Sequence, residues 1–449
     1  MKLKIKKNQN IFAATGSSTK NNSYEAAQEA VNMAIDGITK KGAKEGPDFA
    51  IIFCNGNKYA NHEKSINNFV KGIDEALKKS NPNCKWVGCT SEAELSNYGF
   101  SKESCVVMVI KSEFIHFGTG VGKNIYKNPE KATKSALKTA LKEVKIDKYV
   151  DPYIQFTAMK KKSPSELIKY NPYGIINICA GPLKSKPGNE EDILDIIKSQ
   201  VGINIPIIGG SASDDIQRME KVYQFCNGKS YKEAVVITSF VSHLKFGFGT
   251  QHGFKPSDKT FLVTESEGRV IKKINNKPAA EVMANAYNMS IEELSEWIAE
   301  GMQKCMVLNF TNPILVAEGR NMFKSTVFHA VQGKNIIVGT SIPKNSALTI
   351  GEGTRKTIIE ASSKAINEAT KYAGADPEFA LFFDCCLREM ALKEKITDEV
   401  KHIKQKMGDK PFIGFYTFGE QGYLGNQLTC HVNLTFTSLI FSNKLITED

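Results

Sequence analysis

One succession of segments recurs along this chain: a continuous apolar run, an amphipathic helix, a short strand that dissolves into small residues, and a second apolar run. The first copy begins at Phe49–Cys54, apolar at every position, the pattern of a strand buried on both faces. Lys64–Lys78 follows with Ile66, Phe69, Val70, Ile73, Ala76 and Leu77 on one face, the spacing of a helix. Asn81, Pro82 and Asn83 stop it. Trp86 and Val87 then run into Gly88, Cys89, Thr90 and Ser91, which predict a glycine turn, and Cys105–Ile110 is the next buried strand. Phe114–Gly122 reads as the strand that closes the copy. The second copy repeats the order with Gly174–Cys179, Ile193–Ile197, then Ile207, Ile208, Gly209, Gly210 and Ser211, then Ala234–Thr238 and Leu244–Gly249. From Ile52 to Gly88 is 36 positions and from Ile176 to Gly209 is 33. A fainter third copy has Phe379–Asp384, a helix over Lys393–Lys406, a turn from Gly414 to Gly419 and Glu420, and Leu434–Phe441. A repeat of this kind constrains architecture more than any single segment does.

The glycine turn leads to another strand with no helix between, which permits antiparallel pairing. The expected class is therefore α/β with mixed sheets. Copies at about 49–122 and 173–253 define a first domain over 1–260. The third copy, about 379–441, lies in a second domain over 261–449. Tyr149–Pro172 reads as a connection with a short strand at Tyr153–Thr157, and 261–271 as a hairpin. From Pro278 a helical stretch is refreshed by Ser290 and Glu293, a capping box.

With 449 residues the chain has room for two or three domains. Its net charge is +11, yet only five of the basic residues are arginine and the lysines are dispersed. Base readout and bidentate phosphate capture favour arginine, so a solvated lysine surface is expected and a nucleic-acid partner is not. The apolar runs fall short of a membrane span, and Ile11–Ala14 is too short for a signal-peptide core. Most of the ten cysteines sit in apolar segments without a Cys-x-x-Cys pair. A reduced, cytoplasmic setting is expected.

Candidate sites follow from chemistry. Gly88, Cys89, Thr90 and Ser91, like Gly209, Gly210 and Ser211, follow strands, where backbone amides and hydroxyls suit an anion. The alternative is that the glycines only permit tight turns. Arg388, at the end of an apolar strand, suits a ligand carboxylate; a structural pair with Glu389 or Glu420 is the alternative. Gly419 and Glu420 form the third turn, where Glu420 suits a ligand ammonium or the work of a general base. Arg388 and Glu420 together match a zwitterion. His252, in a Gln-His-Gly loop, and His431, which follows Cys430 before the last strand, are the candidates for holding haem. Cys89 or a turn serine is the candidate nucleophile for a hydrolase or transferase. No serine-elbow, zinc-histidine or Walker motif is present.

Several strings occur together as they do in one known family. Ile207–Asp214, Tyr223–Gly228, His252–Pro256 and Asn275–Ala279 resemble the FIST N domain, as does Val87–Glu92. Phe383–Arg388, Pro411–Glu420 and Asn433–Thr435 resemble the FIST C domain. The resemblance implies a stand-alone sensory module for a small ligand, with amino acids proposed for the family. It implies signalling through a separate protein, since no output domain is read in the chain. In one branch of the family it implies haem and the sensing of nitric oxide; no other cofactor is expected.

Overall fold

The computed structural model describes residues 11–159, 171, 173–299, 302–319, 321–425 and 428–446. The basic N-terminal segment lies outside them. The repeat is present three times, and each copy builds one mixed sheet.

Unit one contains β1 (Ile11–Ser18), β2 (Phe49–Asn55), β3 (Lys85–Ser91), β4 (Glu94–Ser96), β5 (Gly99–Ser101) and β6 (Cys105–Ser112). Unit two contains β7 (Ile115–Lys123), β8 (Tyr173–Ala180), β9 (Ile207–Ala212), β10 (Gln224–Cys226), β11 (Lys229–Tyr231) and β12 (Ala234–Ser242). Unit three opens with β13 (Leu244–Gln251) and is then interrupted. The interruption carries β14 (Lys255–Glu267), β15 (Val270–Ile274), β16 (Lys277–Pro278), β17 (Ile314–Gly319), β18 (Met322–Thr326), β19 (Phe328–Gln332), β20 (Asn335–Val338) and β21 (Ala347–Glu352). The unit resumes with β22 (Pro377–Cys385), β23 (Phe412–Thr417), β24 (Glu420–Leu424), β25 (Leu428–Val432) and β26 (Phe436–Leu445).

In every unit the second and third long strands run parallel across a helical crossover, and the others pair antiparallel. The short hairpin of each unit leaves its own sheet. β4–β5 joins the sheet of unit three, β10–β11 that of unit one, and β24–β25 that of unit two. The exchange is cyclic, so the three units are sewn around one pseudo-threefold axis.

The first strand of each unit lies unusually close to the helix that follows it. A Cβ on Gly16 would stand 2.0 Å from the Ala30 carbonyl oxygen. On Gly120 it would stand 2.0 Å from that of Ala136, and on Gly249 2.0 Å from that of Ala365. Glycine in the strand and alanine in the helix make this approach possible.

Three expectations change here. Phe114–Gly122 and Leu244–Gly249 open units two and three instead of closing units one and two: β7 pairs with β12, and β13 with β26. Units therefore begin earlier than the apolar runs suggested, with β1 as the missed first strand. Tyr153–Thr157 lies in a helix over Asp147–Met159 and is not a strand. The expected hairpin at 261–271 is β14–β15, and Ser290 and Glu293 exchange the two capping hydrogen bonds at 2.7 and 3.0 Å.

The inserted region, 255–352, has its own sheet and its own core around Val263, Ile271, Met283 and Leu348. Among the described residues no helix is long and apolar enough to cross a membrane.

Candidate functional site

The third long strands end around the pseudo-threefold axis. Thr90 N–H donates to the Tyr223 carbonyl, Ser211 N–H to that of Gly419, and Tyr416 N–H to that of Ala93. These three bonds are equivalent across the units. Register places Gly88, Gly209 and Gly414 beside Ile52, Asn177 and Phe382. All three lie inside strands, and so do Cys89, Thr90, Ser91, Gly210 and Ser211, each of them buried. The turn expected at these residues is therefore corrected. The small side chains serve close strand approach: a Cβ on Gly209 would stand 1.8 Å from the Asn177 carbonyl oxygen. Their amides are engaged in the protein, and burial pushes the Cys89 thiol well up, away from the thiolate a nucleophile needs.

Glu420 is fully buried. It accepts Thr417 Oγ1 at 2.6 Å and the Thr435 N–H and hydroxyl at 3.1 and 2.9 Å. Glu94 repeats this in unit one, accepting Ser91 Oγ at 2.6 Å and the Ser104 N–H and hydroxyl at 3.2 and 2.8 Å. Gln224 takes the position in unit two and accepts the Ala234 N–H at 3.1 Å. Gly419, just before Glu420, packs against the His431 ring. Glu420 thus belongs to a repeated strut, with both carboxylate oxygens bonded inside the protein. Burial raises its carboxyl and pushes that of Glu94 to about 8, against the hydrogen bonds from Ser91 and Ser104. A carboxyl raised on folding stabilises fully below its unfolded pKa, about 4.3. That stability is lost as pH rises towards 8. Glu94→Gln, which copies unit two, should gain on the wild type by up to about 1.4 kcal/mol per pH unit over this range. Urea titrations at several pH values measure the gain; a difference constant with pH would refute it.

Arg388 lies in the helix Cys386–Leu392, beyond the strand end, and is fully buried. Its Nε donates to Asp384 at 2.6 Å and one Nη donates to the Ile358 carbonyl at 3.0 Å and to Glu399. Both carboxylates are buried as well, and burial raises them. The expected ligand clamp is replaced by an internal ion cluster, whose partners are neither Glu389 nor Glu420.

A second cluster stands where the inserted region meets units two and three. Arg269 reaches Glu190 at 2.8 Å and Glu191 at 2.5 Å, and His431 Nδ1 lies 3.0 Å from Glu191. Glu190, Glu191 and His431 have metal-ligand spacing. The Arg269 guanidinium already supplies the positive charge between the carboxylates. His431 spends one ring nitrogen on Glu191, and His252 Nδ1 accepts the Phe254 N–H at 2.9 Å.

The open space is elsewhere. A cleft of about 830 Å³ lies beyond the carboxyl ends of β2, β3 and β22, between all three units. This is where open α/β sheets bind ligands. Glu92, Asp215 and Glu389 contribute acids; Lys102, Arg355 and Lys393 contribute bases; Ile216, Phe310, Ile358 and Met390 form an apolar wall. Glu92 stands one residue past β3, and its Oε2 accepts the Ile216 N–H at 2.7 Å. Burial raises its carboxyl in spite of that bond. Lys102 Nζ lies 3.3 Å from Glu92 and 2.8 Å from Glu389. Burial opposes the lysine's charge, but the two acids outweigh it and hold its pKa above the ordinary value. On the far side the helix Arg355–Ala373 begins, with Thr354 and Thr357 closing a reciprocal cap. Arg355 Nε donates to the Ala391 carbonyl at 3.2 Å and its guanidinium stays half exposed.

None of the residues expected to bind ligand lines this cleft. Of those that do, Glu92 was legible as the end of a motif string. Lys102, Arg355 and Glu389 come from three separate segments and carried no local signal.

The fold and the cleft define a three-unit α/β protein with a ligand-sized space at its strand ends. The FIST N domain matches residues 14–277 and the FIST C domain residues 279–423, so this chain belongs to the FIST family. The family is linked to sensory and signal-transduction roles with small-ligand binding. An uncharacterized protein of Methanocaldococcus jannaschii is 24% identical over 272 residues, 56% of this chain and 51% of that protein. The chain spans about half the length of that relative. Two solved structures of cyanuric acid hydrolases, each 8% identical, are weakly similar. One, from A. caulinodans, has TM-score 0.25 over 52% of this chain and 71% of its own. The other has TM-score 0.31 over 96% of this chain and 100% of its own.

Proposed function

We propose that the protein is a sensor whose cleft takes an amino acid or a related small zwitterionic carboxylate. The observation that carries this reading is the polarity of the space. Two largely buried acids, Glu92 and Glu389, stand at one side. Arg355 and the amide-bearing start of its helix stand at another. An ammonium suits the first and a carboxylate the second, where helix dipole and guanidinium both favour negative charge. The apolar wall suits an aliphatic side chain. Occupancy would bind unit one to unit three through Glu92 and Glu389, a change that a separate signalling protein reads. Nine unpaired cysteines among the described residues support a reduced, cytoplasmic setting.

Calorimetry with an amino-acid panel tests the reading. Arg355→Ala and Glu389→Gln should each weaken the ligand found by about tenfold or more, the 1.4 kcal/mol or more of a charge-assisted hydrogen bond. A panel without heat, or a ligand indifferent to both changes, would refute it.

A further inference from the structure

We infer that Lys102 is the cleft's built-in occupant of the ammonium subsite, and that a ligand amine binds by displacing it. The inference rests on the zwitterion reading above and assigns one residue the control of affinity.

The two acids and the lysine are unequal partners. The Glu92 and Glu389 side chains retain 8% and 12% of their exposure, while that of Lys102 retains 45%. Glu92 is fixed by the Ile216 amide, and Glu389 rides on a helix. Lys102 sits in the turn between β5 and β6. Its flexible stem can swing to water, whereas the carboxylates cannot follow it. Withdrawal would leave two shielded acids facing each other, so the space selects another cation.

The present occupant also fits imperfectly. Glu389 Oε2 is shielded from solvent and, among the described residues, no well-aligned hydrogen bond reaches it, although the Lys102 ammonium is 2.8 Å away. A free primary ammonium has the same three donors without the tether and can align on both acids. Lys102 therefore acts as an intramolecular competitor. The apparent affinity of an amine ligand is lowered by the fraction of time the lysine occupies the site. Ligands that lack the amine do not compete with it.

The test uses the full chain, Lys102→Met and Lys102→Ala. Titration with L-leucine should show the Met variant binding about tenfold tighter or better, the gain from removing a competitor that holds the site nine-tenths of the time. The des-amino acid 4-methylpentanoate should bind both proteins alike. Leucine binding that is weaker or unchanged in Lys102→Met would overturn the inference and make Lys102 a ligand contact or a bystander. A second arm does not depend on the ligand being an amino acid. Methylammonium should raise the melting temperature of Lys102→Ala by several degrees and leave the wild type unmoved. If rescue succeeds while leucine binds neither protein, the amino-acid reading falls and the ammonium subsite stands. If rescue fails, the inference is wrong.

Discussion

Arg388→Met is expected to cost about 3–5 kcal/mol of stability, the usual effect of removing one partner from a buried charge cluster. Asp384 and Glu399 would remain inside the protein with their guanidinium gone. Neither can reach water, because all three groups are fully buried. The Ile358 carbonyl would also lose its donor. Urea unfolding followed by fluorescence should show an earlier midpoint with little change in slope. Neutralising the acids as well, in Arg388→Met with Asp384→Asn and Glu399→Gln, should recover much of the loss, since a buried ion cluster replaced as a whole is often close to neutral. At a temperature where Arg388→Met remains folded, its ligand affinity should equal that of the wild type. Stability preserved together with ligand affinity lost would return Arg388 to the role of ligand clamp.

Gly120→Ala is expected to cost about 3 kcal/mol, at the upper end of ordinary overpacking. The added methyl would meet the backbone oxygen of Ala136, and backbone cannot rotate away as a side chain can. The helix Pro129–Val144 must then lift from β7, loosening the apolar contacts of Ala132, Ala136 and Ala140. Gly16→Ala and Gly249→Ala meet the same obstacle in the other units and should cost similar amounts. By contrast, Gly333→Ala, a turn glycine with open space around it but a φ of 61°, should lose only the roughly 1 kcal/mol of a strained backbone. Equal losses at Gly120 and Gly333 would show that strand–helix spacing is not what the glycines protect.

The repeat itself was legible because its signals are local. A parallel strand buried on both faces must be apolar throughout, and a helix lying on it must show its stripe, so Phe49–Cys54 and Ile66–Leu77 disclose themselves. The phase of the repeat was not legible. β7 and β13 follow β6 and β12 after tight turns, and only pairing partners reveal that each belongs to the next sheet. The glycines misled for a related reason: Gly88 and Gly209 look like turn residues, yet they are strand residues pressed against a neighbouring carbonyl.

The candidate site divided along the same line. Arg388 and Glu420 were conspicuous as rare charges in apolar strings, and that context is what buries them. A charge set among apolar residues is more easily satisfied by Asp384, Glu399, Thr417 or Thr435 than by an arriving ligand. The cleft residues fall in two groups, Glu92 with Lys102 and Arg355 with Glu389, and the groups stand 253 to 297 positions apart. By itself the chain determined the apolar strands and amphipathic helices of its repeat, their threefold succession and its family, because each follows from side-chain periodicity and short strings; β1 and the helix over Tyr153–Thr157 escaped it. Only the tertiary structure decided that the hairpins cross between sheets. That crossing brings Glu92, Lys102, Arg355 and Glu389 to one space, and nothing local in the chain encodes a distance between segments that far apart.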